Sequence, residues 1–148
     1  MVEKLVPLLE QQAQTLLELW NVVVQQREAL REERLSSLQD LMKKAQALSS
    51  RARALEAARE KETNSLAGIL GCAPVLSEFV PRLAEAEAGR LRSAGDGLCK
   101  AVLKLKSEMQ ILSRLVEQST MLGELLIGEW RRLEGSFGTP TGGFDFRG

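Results

Sequence analysis

Apolar residues at Val2, Leu5, Leu9, Ala13, Leu16, Leu19, Trp20, Val23 and Leu30 form a stripe, and those at 2, 9, 16, 23 and 30 recur every seven. A helix that buries one face has this period, so the spacing predicts a long amphipathic helix over 2–34. Arg31-Glu32-Glu33-Arg34 is a charged interval, and Ser36 then precedes Gln39 by three, the pattern of a capping box opening a second helix over 36–69. Its seam is Leu38, Leu41, Ala45, Leu48, Ala52, Leu55, Arg59, Glu62, Leu66 and Ile69, where Arg59 and Glu62 are spaced to pair with each other. Gly68, Gly71 and Pro74 end this helix, because glycine suits a left-handed cap and proline cannot continue the ladder.

A connector follows, with one short helical turn expected within Val75 to Val80 and Pro81 placed to open the next helix. The third long helix, over 82–133, has its seam at Ala84, Leu91, Leu98, Leu105, Leu112, Ser119, Leu126 and Leu133, again every seven. At 1.5 Å per residue it is about 78 Å long against about 50 Å for each of the others, so it must overhang or break. Gly95-Asp96-Gly97 is the candidate break, and the reading favours a bend there. Residues 135–148 hold five glycines and a proline and read as an irregular tail. The expected fold is all-α: an antiparallel bundle of three to four long helices over 1–134, followed by a glycine-rich C-terminal tail.

Composition agrees with helices, since the chain is 44% hydrophobic yet has only 4 Phe, 2 Trp and no Tyr. Lys and Arg total 20, as do Asp and Glu, with no basic patch suited to nucleic acid. The absence of His removes Ser-His and Cys-His nucleophile pairs and the commonest metal ligand. Cys72 and Cys99 lie far apart without a CxxC, which makes them free, buried or half-buried thiols in a reducing compartment. The start, Met1-Val2-Glu3-Lys4-Leu5-Val6-Pro7, is unlike a secretory signal, and no apolar run approaches the roughly 20 residues of a membrane span. Glu32-Glu33 and Glu85/Glu87 read as solvated surface, while Asp40/Lys44, Glu28/Arg31 and Glu129/Arg132 have the spacing of weak surface ion pairs. With no phosphate-binding glycine motif either, the chain is expected to be non-enzymatic and to need no cofactor or metal.

The last helix is more apolar than one seam requires: eleven of the 22 residues from Met109 to Trp130 are apolar. Ile111, Leu115, Leu122 and Leu125, flanked by Met121 and Ile127, form a second stripe that widens the apolar arc to roughly twice the usual 100°. Two explanations stand: burial on both sides within a four-helix bundle, or an exposed groove for a partner helix. Phe137, Phe144 and Phe146, in the tail, can dock on a partner or fold back on the bundle.

The layout resembles the FlgN-like family of flagellar export chaperones over nearly the whole length. The resemblance rests on Gln26-Arg27-Glu28-Ala29-Leu30, on the restart at Leu35, Leu38 and Leu41, on Leu112 to Leu126, and on Phe144-Asp145-Phe146-Arg147-Gly148 beside the family's YDxxG ending. Departures are Phe144 for Tyr, Val116 for the usual Asn, and Arg34 where a turn-forming Asp or Asn is common. Loss of the Tyr hydroxyl leaves only the stacking role of that ring. The resemblance implies a cytoplasmic, non-enzymatic protein that binds hook-filament junction (hook-associated) subunits before type III export and presents them to export-gate components. It places the client contact on the last helix, hence on Ile111, Leu115, Met121, Leu122 and Leu125, with Phe144 and Asp145 of the ending as further partner-binding candidates.

A self-associating helical-bundle or coiled-coil scaffold is the alternative, with the second stripe as a homo-oligomer seam. A membrane-surface helix fits less well, because its polar faces carry no excess of Lys and Arg.

Overall fold

The computed structural model describes the backbone of residues 1–134 and the side chains of residues 1–119. Its elements are α1 (Leu5–Arg31), α2 (Leu35–Leu70), the single turn α3 (Leu76–Phe79), a 3-10 turn (Val80–Arg82) and α4 (Glu85–Glu134). No strand occurs among the described residues. The all-α bundle expected from the hydrophobic periodicity is therefore the observed fold.

Local chemistry explains the boundaries. Pro7 lies in the first turn of α1, where backbone N–H groups have no intrahelical acceptor and the ring costs no hydrogen bond. Glu33 at φ 56° closes α1: the Arg34 N–H donates to the Ala29 carbonyl at 2.9 Å and the Glu33 N–H to the Leu30 carbonyl at 3.3 Å. So short a turn makes Arg34 the cap of α2, its carbonyl accepting from the Leu38 N–H at 3.1 Å. Ser36 consequently lies inside the helix, and the expected capping box does not form. At the other end Gly71, at φ 65°, caps α2 while the Cys72 N–H donates to the Ala67 carbonyl at 3.1 Å. Gly68 remains helical, so Gly71 alone is the terminator.

Pro81 lies in the 3-10 turn rather than at the start of the last helix, because Leu83 is extended and resets the chain direction before α4 begins at Glu85. α4 then runs without interruption through Gly95-Asp96-Gly97. The helix does not break there, and Gly95 has a packing role: it is buried, and a Cβ there would meet Leu76 Cδ1 of the connector at 3.3 Å. At 1.5 Å per residue α4 is about 75 Å long against about 40 Å for α1, so the length mismatch is resolved by overhang.

α1 and α4 run parallel, with α2 antiparallel to both, and α1 is the shared central helix. At the base all four α-helices contribute to one cluster: Val2, Leu5, Val6 and Leu9 pack with Leu66, Ala67, Phe79, Leu91 and Ala94. Phe79 is fully buried and pins the connector beneath the bundle. Above the base the core divides. Val22 and Ala29 pack with Leu41 of α2, whereas Val23 packs with Leu105 and Leu112 of α4. Adjacent valines thus serve different seams, and α2 and α4 hardly approach each other. The bundle is closed at its base and open along one side.

Polar contacts join the same helix pairs. Arg27 Nε donates to Glu108 Oε2 at 3.0 Å between α1 and α4, and Lys104 Nζ lies 3.9 Å from the centre of the Trp20 ring. Between α1 and α2, Gln12 Nε2 donates to Glu56 Oε2 at 2.6 Å. Arg59 pairs with Glu56, not with Glu62, because Glu56 is already turned towards Gln12 and presents both its oxygens. Neither Asp40/Lys44 nor Glu28/Arg31 forms an ion pair; Glu78/Arg82 does, at 2.9 Å. Glu87, read as surface, is half-buried and lies 3.2 Å from the N-terminal ammonium.

Candidate functional site

The second stripe of α4 separates from the seam where both are described. Leu112 is 3% exposed and Ile111, its neighbour in sequence, is 38% exposed. Leu115 is half-buried. The seam positions of α4 point at α1, so a residue about a third of a turn away lies on the flank of the α1–α4 pair. Ile111 is therefore an apolar side chain that its neighbours among the described residues leave partly open.

α4 also outlasts its partner. Leu30, one residue short of the end of α1, packs in the cluster that includes Leu112 and Val116, and α4 continues from there to Glu134. That continuation is roughly 27 Å of helix. Met121, Leu122 and Leu125 belong to it, and their side chains lie outside the described residues. Phe144 and Asp145, with the rest of 135–148, lie outside them altogether. Of the seven sequence-derived candidates the structure therefore places Ile111 and Leu115 on the flank and three more on the helical continuation.

A second opening was not foreseen. Gln12 and Leu16 of α1, Ala52, Arg53 and Glu56 of α2, and Leu98 and Val102 of α4 line a groove of about 280 Å³ where α2 and α4 stand apart. Gln12 is buried there, and its Oε1 has no hydrogen-bond partner among the described residues. Burial of Gln12, Gln26 and Thr15 on α1 had no signal in an apolar pattern, since each breaks it. The groove follows from how far two helices splay, which no periodicity encodes.

The Arg59 guanidinium, hydrogen-bonded to Glu56, holds that carboxyl below the ordinary glutamate value of 4.5 against partial desolvation, and the Gln12 amide adds to the effect. These groups link helices and do not face one another across a reaction site. Cys72 is half-buried against the basal cluster, but Cys99 is exposed, contrary to the expectation of two sheltered thiols. Its position on the outer face of α4, beside Leu76 and Pro81 of the connector, leaves it at the rim of a shallow hollow. No helix is long and apolar enough to cross a membrane among the described residues.

The described residues form a three-helix bundle whose last helix overhangs its partner and leaves part of an apolar flank open. The chain belongs to the FlgN family, flagellar export chaperones whose sequence model, described as FlgN protein, matches residues 1–123. No curated protein and no solved structure matches the chain. The matched range takes in Ile111, Leu115, Met121 and Leu122 and stops before Leu125, Phe144 and Asp145.

Proposed function

We propose that this protein binds hook-associated flagellar subunits in the cytoplasm and holds them for type III export, handing them to export-gate components. The observation that carries the reading is the pairing of an exposed Ile111 with an α4 that continues well beyond α1. An unassembled junction subunit has terminal helices that seek coiled-coil partners, and an uncovered amphipathic helix satisfies them until delivery. Coupled folding and binding of such a segment costs several kcal/mol of ordering, which keeps the complex releasable. Ile111, Leu115, Met121, Leu122 and Leu125 form the contact, joined by Phe144 and Asp145. The protein is not an enzyme and acts without cofactor.

Mass measurement across a dilution series tests this with a purified hook-associated subunit as the probe. A one-to-one complex with the subunit supports the chaperone reading. A symmetric oligomer that persists on dilution and ignores the subunit establishes the scaffold alternative instead.

A further inference from the structure

The uncovered flank of α4 lies within reach of this chain's own tail. Gly135 begins a segment whose five glycines and Pro140 disfavour a continued helix. Phe144 is ten residues past Glu134, about 33 Å of extended chain, and Phe146 twelve, about 40 Å. Measured back along α4 from Glu134, Leu115 is about 29 Å away and Ile111 about 35 Å. An extended tail is therefore long enough to reach both positions. Val102, in the groove between α2 and α4, is about 48 Å back and beyond the reach of either ring.

Charge supports the same register. Arg114, three residues after Ile111 and next to Leu115, is exposed and forms no ion pair among the described residues. Asp145 stands between the two phenylalanines. A tail laid antiparallel along α4 brings its carboxylate to that guanidinium as the rings meet the apolar positions.

We infer that residues 135–147 fold back along α4, seating Phe144 and Phe146 on Ile111 and Leu115 with Asp145 facing Arg114, and so cover the stripe until a partner displaces them. A tethered segment competes at an effective concentration in the millimolar range, which favours it over a second copy at ordinary protein concentrations. The contact needs no client, so it stands apart from the chaperone reading. Displacement also frees Phe144 and Asp145 to join whatever partner takes their place.

The isoleucine methyl signals of the full chain provide the test, because Ile111 lies beneath the docked rings and Ile69 lies at the far end of α2. Phe144→Ala/Phe146→Ala, and truncation after Glu134, are each expected to move the Ile111 δ1-methyl signal to one common position and leave Ile69 unmoved. Asp145→Asn is expected to move Ile111 part of the way, as is high salt. An Ile111 signal that stays in place in both the double variant and the truncated chain overturns the proposal. So does a displacement in the parent protein that grows with concentration, which means that a second copy supplies the rings. Subunit binding, followed separately by mass, fails or succeeds independently of these signals.

Discussion

Glu33 carries the left-handed turn between α1 and α2 at φ 56°, a conformation that costs a residue with a Cβ roughly 1–2 kcal/mol. Glycine loses about 0.5–1 kcal/mol of that advantage through its greater freedom in the unfolded chain. Glu33→Gly should therefore stabilise the protein by about 0.5–1 kcal/mol in a urea titration. Gly97 faces open space in mid-helix, so Gly97→Ala should gain nearly the full helix-propensity difference of about 1 kcal/mol. Gly95→Ala should gain clearly less, because its methyl group presses on Leu76 and the connector must yield. Parallel melts of the two variants check the contrast. The glycine pair stood out in the sequence as a possible break. Its actual role depends on a connector that approaches one glycine and not the other, and residue type alone does not distinguish them.

Between elements, α1 is held to α4 and α2 by polar contacts as well as by apolar seams. The Arg27–Glu108 pair is mostly shielded from water, so Glu108→Ala should cost about 1.5–3 kcal/mol, the range for a hydrogen bond to a charged group. A double-mutant cycle with Arg27→Ala should recover part of that loss, since it removes the guanidinium left without its partner. Glu56 responds to pH. Its carboxyl in the folded protein titrates below 4.5, so its contribution is present above that pH and is lost as pH falls through the lower folded value. Glu56→Gln should lower the melting temperature slightly at neutral pH and flatten its fall below about pH 4.5, where the two proteins converge; Glu56 is half exposed, so the change is small. The long helices were legible because seven-residue recurrence reports a buried stripe directly. The capping box failed because the three-residue connection Glu32-Glu33-Arg34 leaves Ser36 no room outside the helix, a constraint that is set by α1 rather than by α2.

For the whole molecule, the contrast between seam and stripe is the strongest test of how core and surface divide along α4. Leu105 and Leu112 are buried against α1, so replacing either with Ala should cost about 2–5 kcal/mol and lower the melting temperature sharply. Replacing Leu122 and Leu125 with Ser should leave the melt near the parent while weakening subunit binding by about 3–6 kcal/mol, the transfer values of two leucine anchors. If that variant melts as low as the seam variants, the stripe belongs to the interior and the client must bind elsewhere. The sequence alone determined the all-α class, the three long helices, the excess apolar face of the last one and the family resemblance, because each rests on local periodicity or on residue order. Tertiary structure decided that α4 runs on unbroken past α1, that Val22 and Val23 serve separate seams, and that α2 and α4 part to leave a groove floored by Gln12. These features depend on the relative placement of whole helices, and a one-dimensional pattern records which residues avoid water but not which neighbour shields them.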